Sequence, residues 1–246
     1  MLAIKLLTAV LILLLMQATD IAFGQEEPHH APPAKPASHT TRKIEGWTVH
    51  LDDRLLANDN RALGERATRL LANQLYYIAM VVPADKVERL RKIPIWLDLT
   101  HGLLTRPQYH PSASWLKDNG FDPTLAKCVH IPDARYFAEA RFQYEQPCAV
   151  LHELAHAYHD QVLGFDDPQI EAAWHRFVES GRYKSVLNIS GKMEPHYALT
   201  DQKEFFAEMT ETFFGHNDFY PFNAAELRRD EPELFALLKR IWGASP

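Results

Sequence analysis

The stretch CAVLHELAHAYHDQVLG, Cys148 to Gly164, constrains this 246-residue chain more than any other. Three histidines, a glutamate and an aspartate sit among residues that otherwise suit a protein core. Val150, Leu151, Leu154, Ala155 and Ala157 give the segment the apolar character of a buried helix. Pro147 suits its start and Gly164 its end, so the pattern predicts a helix from Pro147 to Leu163. Within it, His152-Glu153-Leu154-Ala155-His156 has the form H-E-x-x-H. Residues four apart share one face of a helix. Two imidazoles placed that way can hold one Zn²⁺ at about 2.0–2.1 Å each. Glu153 is rotated about 100° around the same helix, so it is badly placed as a ligand and well placed to reach a water on the metal.

A catalytic zinc takes three protein ligands and keeps one position open. The longer motif that supplies a third histidine fails here, because His159 stands at its glycine position and Val162 at its last histidine. The third ligand is then expected from an acid further along: Glu171, Glu179, Glu204 or Glu208. Glu171 and Glu179 belong to an amphipathic segment whose charges suit a solvated face. In EFFAE, two carboxylates stand one turn apart. Glu204 on the metal, with Glu208 hydrogen-bonded to a ligand imidazole, would fill both roles. Cys148, one turn before His152, is a further candidate ligand.

The combination of HELAH with YALTDQKEFFAE, Tyr197 to Glu208, resembles the catalytic domain of anthrax lethal factor and its wider relatives among the gluzincin metallopeptidases. The two motifs and their order cover about a quarter of the chain. The resemblance implies a zincin-like fold and peptide-bond hydrolysis. It implies His152, His156 and Glu204 as zinc ligands, Glu153 as the base, and Tyr197 as support for the reacting carbonyl. It also implies a peptide or protein substrate held along an edge strand, for which Cys128–Ile131 is the candidate by position. His196, beside Tyr197, is either an oxyanion contact or a loop histidine. His159 reads as a residue behind the ligands or at the surface. Two other readings stay open: a zinc-binding scaffold without turnover, and an amidohydrolase acting on a non-protein amide such as a cell-wall component.

The formal net charge of −6 and the lack of a basic run argue against a nucleic-acid partner. Met1–Gly24 has the basic start, apolar run and small-residue end of an export signal. Its apolar run is too short for a membrane-spanning helix. The expected location is therefore secreted or periplasmic, with no stable membrane insertion once the signal is removed. Residues 25–43 are rich in Pro, Ala and His and read as a flexible leader, leaving 44–246 as the folded domain. In an oxidising compartment Cys128 and Cys148 are either bridged or two buried thiols. Strands are expected at WTVHL, at Ile93–Leu99 and at Lys127–Ile131, and a loop between the last two. Helices are expected at 61–80, 84–91, 168–180, 201–214 and 223–242, the last broken near Pro232. The fold class is α+β: a small mixed N-terminal sheet packed on helices, then a mainly helical C-terminal half.

Overall fold

The structure is a computed structural model that describes residues 34–243. The expected export signal and the leader up to residue 33 lie outside the described residues. The described chain is α+β, with a small mixed sheet in its first half and helices dominating its second.

Strands β1 (His39–Ile44) and β2 (Trp47–Asp52) form a hairpin that turns at Glu45 and Gly46, both at positive φ. Order thus begins before residue 44, and all of β1 but Ile44 lies inside the segment expected to be a flexible leader. Its sequence, HTTRKI, is polar and mostly exposed. Backbone pairing to β2 holds it, so hydropathy carries no sign of the strand.

Helix α1 (Arg61–Val81) buries the stripe Ala67, Leu71, Leu75 and Ile78, and α2 (Ala84–Leu90) follows after Pro83. Next come β3 (Ile95–Leu97), β4 (Gln108–Tyr109), α3 (Ala113–Asp118) and β5 (Val129–Ile131). The sheet order is β1-β2-β3-β5-β4. The central three strands run parallel, and β1 and β4 close the edges antiparallel. Val49, Ile95 and Val129 lie in register across the centre and are fully buried. The Cys128–Ile131 segment is therefore not an edge. β4 covers it, in a stretch expected to be loop. A two-residue strand between Pro107 and Pro111 is too short for a period-two pattern to appear.

After α4 (Ala134–Phe137) and α5 (Ala140–Glu145) comes α6 (Ala149–Tyr158), which carries H-E-x-x-H. Cys148 supplies no side-chain cap to α6. Instead Gln74 of α1 accepts a hydrogen bond from the Val150 N–H at 3.1 Å and donates to Gln143 at 3.0 Å. The helix is shorter than expected, because it widens into a π-helical turn over His159–Leu163 that ends at Gly164, φ +88°. Then follow α7 (Pro168–Glu179) and the hairpin of β6 (Val186–Leu187) and β7 (Met193–Glu194). The chain continues as α8 (Gln202–Phe214), α9 (Ala224–Asp230) and α10 (Pro232–Trp242), with Pro232 dividing the last two. α8 packs along α6. Trp242 of α10 lies against Phe206 of α8 and Tyr158 of α6, its ring centroid 5.9 and 4.5 Å from theirs. One indole thus ties both helices from behind. Cys128 and Cys148 are free and buried.

Candidate metal centre

α6 and α8 bring His152, His156 and Glu204 together. Asp201 caps α8 by accepting hydrogen bonds from the N–H groups of Lys203 and Glu204, which fixes where the helix starts and where Glu204 points. Glu204 Oε2 lies 3.1 Å from His152 Nε2 and 3.4 Å from His156 Nε2. One donor atom from each of the three residues falls within 4.8 Å of the other two. Ligands about 2.0–2.1 Å from a tetrahedral zinc stand roughly 3.4 Å from one another, so the donor set fits that ion. Glu171 and Glu179, the competing acids, are exposed on α7. Cys148 is not in the group.

The second carboxylate against His152 differs from the expected one. Glu211 Oε1 lies 2.6 Å from His152 Nδ1, while Glu208 Oε1 is 3.6 Å away. Glu208 instead accepts from Asn217 Nδ2 at 3.0 Å. Glu211 was missed, although the spacing held a signal. Seven residues after Glu204 is two helical turns, so Glu204, Glu208 and Glu211 share one face.

These acids set the electrostatics. Burial works to lower the pKa of the His152 imidazole, but hydrogen bonds to Glu204 and Glu211 outweigh it and hold the pKa well above the usual value. Burial works to raise Glu204, and its hydrogen bonds to His152 and His156 overcome this and keep it ionised. Glu208 is pushed well up by burial and by the charges of Glu211 and Asp218. Asp218 is pushed up to about 7 by burial and by Glu211. The result is a buried, acid-rich wall around two imidazoles, which favours a cation.

Glu153 is buried beside this group, and its pKa is raised by burial although His152 and His156 oppose the rise. Its Oε2 accepts a hydrogen bond of 2.6 Å from the backbone N–H of Tyr109. The neighbouring His110 uses both backbone groups, donating to Cys128 and accepting from Lys127 just before β5, so Tyr109 points its own away from the sheet. The Tyr109 hydroxyl donates to Asp160 at 2.6 Å, in the π-helical turn after α6. The free edge of β4 is thereby fixed to the helix that carries the histidines.

Tyr197 opens a short 3₁₀ turn and is 48% exposed. It lines a cavity of about 500 Å³ together with His152, Glu153, His156, Glu204 and Tyr109. Burial, and then Glu204, raises the pKa of its phenol, so it keeps its proton. His196 is not among the cavity residues. It is buried, stacks on Phe219, and accepts the Ala198 N–H at 3.1 Å, which makes it a turn cap. His159 is fully buried between Phe165 and Phe206 with neither ring nitrogen hydrogen-bonded, so it is neither at the surface nor behind a ligand.

Compared with protein-family models, with curated proteins and with solved structures, the chain gives no match. Among the described residues, no helix is long and apolar enough to cross a membrane.

Proposed function

We propose that this chain is an exported zinc-dependent endopeptidase with a zincin-like fold of gluzincin type. The observation that carries the reading is the meeting of His152, His156 and Glu204 from two separate helices, with Glu153 beside them at the wall of an open cavity. The three would hold the ion. Bound zinc acidifies water toward neutral pH and polarises a carbonyl.

The chain's own groups supply the rest. Glu153 takes the proton of the attacking water and returns it to the leaving amine; burial raises its pKa toward that task. The protonated Tyr197 hydroxyl donates to the carbonyl oxygen as charge develops there. An extended peptide would pair along β4 through the outward carbonyl of Tyr109, whose N–H is held by Glu153. That role moves from Cys128–Ile131, where the sequence had placed it, to the strand that occupies the edge.

The test uses the full chain with zinc restored, assayed on a mixed peptide library beside Glu153→Gln. The expected result is cleavage by the wild type, its loss in the variant by at least two orders of magnitude, and equal zinc in both. Stoichiometric zinc without cleavage of any peptide would leave the scaffold or a non-protein amide as the function.

A further inference from the structure

A second cluster of metal-binding side chains lies at one end of the sheet and shares no residue with the first. Asp98 follows β3 and is fully buried. Its Oδ2 receives His101 Nδ1 at 2.8 Å and His130 Nε2, from the middle of β5, at 2.9 Å. Its Oδ1 receives His39 Nε2, from the start of β1, at 2.8 Å. Behind His130, His110 Nε2 lies 3.3 Å from the other ring nitrogen. Four histidines thus gather around one carboxylate in a protein that has thirteen.

We propose that Asp98, His101 and His130 bind a second zinc ion. Their three donor atoms lie within 4.8 Å of one another, and imidazole with carboxylate suits zinc. The supporting contacts match those that usually surround such ligands. His39 holds the carboxylate oxygen turned away from the ion, and His110 holds the far nitrogen of His130. Opening the 2.8–2.9 Å contacts to ligand spacing takes roughly half an ångström of side-chain movement.

Charge favours the ion over a plain hydrogen-bond network. Among the described residues, Asp98 pairs with histidines and with no lysine or arginine. The Arg54 guanidinium, which reaches the backbone of neighbouring Thr100, is paired with Asp52. A buried carboxylate without a cation is costly, and a divalent ion among these donors removes the cost. The ion would join β3 to β5, and through His39 it would fix the start of β1.

The experiment counts zinc. The full-length chain is stripped with a chelator, reloaded with Zn²⁺, desalted and analysed for bound metal, with circular dichroism as the check on folding. The wild type is expected to hold two ions, H152A/H156A one, D98N one, and the triple variant none. If D98N does not fold, H101Q takes its place. A folded H152A/H156A chain that holds no zinc overturns the second site and leaves the first standing. One ion in the wild type that survives H152A/H156A and is lost in D98N overturns the first site and leaves the second. Should the variants fail to fold, Co²⁺ absorption of the wild type decides: two tetrahedral equivalents support the second site, and saturation at one overturns it.

Discussion

Glu211 Oε1 lies 2.6 Å from Nδ1 of His152, a full ångström closer than Glu208, the carboxylate one turn earlier. Glu211 therefore sets the tautomer and orientation of that imidazole. Replacing it with Gln should weaken zinc binding about 10–100-fold, in the range found when such supporting groups are lost. Glu208→Gln should cost several times less. Competition with a chromophoric chelator gives both affinities, and equal losses would show that Glu211 has no special role.

The Tyr197 hydroxyl is assigned to the reacting carbonyl and not to the ion. Tyr197→Phe should lower kcat by on the order of 10²–10³, as when one oxyanion donor is removed, with little change in KM. Zinc content should stay at the wild-type level. A variant that keeps full kcat would remove Tyr197 from the chemistry.

His159 links stability to pH. Burial lowers its pKa to about 4 in the folded chain, against 6.5 ordinarily. Between those values the unfolded chain binds more protons, so stability rises with pH. The contribution is complete above about pH 6.5 and is lost as pH falls toward 4. At pH 5 the loss is roughly 2 kcal/mol. His159→Phe keeps the ring against Phe165 and Phe206 and removes the titration. Urea unfolding at pH 8 and pH 5 should show a smaller drop for this variant than for the wild type. Identical drops would refute the assignment.

The thiols should be silent in the native protein. Burial, with the nearby charge of Glu211, pushes Cys148 up to about 12, and Cys128 is also raised by burial. Thiolates react and thiols do not. A thiol-reactive dye should therefore label neither cysteine in buffer and both in denaturant. Rapid native labelling, or a bridge seen on a non-reducing gel, would contradict the packing described above.

Gly64 is needed in α1 for space. A Cβ there would meet the Leu55 carbonyl oxygen at 2.2 Å, and a backbone atom cannot swing aside. Gly64→Ala should destabilise by about 1–3 kcal/mol despite the better helix propensity of alanine. Chemical denaturation measures the change, and a neutral or stabilised variant would mean that the turn before α1 yields easily.

What the sequence made legible follows from what leaves a repeating trace. The stripe of α1, the H-E-x-x-H helix and the break at Pro232 all have one, and the structure places them within a few residues of expectation. Glu204 was recognisable, with Glu208, as one of two carboxylates a turn apart on an apolar helix, and the resemblance pointed to Glu204 as the ligand. β4 and β1 left no trace: one is two residues long, the other is polar and held by backbone pairing and side-chain hydrogen bonds rather than by apolar burial. The π-helical turn at His159 was hidden for a related reason, since widening a helix changes hydrogen-bond partners and not composition. The cluster around Asp98 was out of reach because its members come from β1, β5 and the loop after β3, and only the sheet register joins them.

Helix α8 carries Glu204, Glu208 and Glu211 on one side while Phe205, Phe206, Met209 and Phe213 are buried around it. Each residue turns an α-helix by about 100°. Deleting or inserting one amino acid between Glu204 and Glu211 would swing one end of the row out of line and twist the aromatic packing with it. A substitution within this segment touches one of these side chains, whereas a change in its length displaces several of them together.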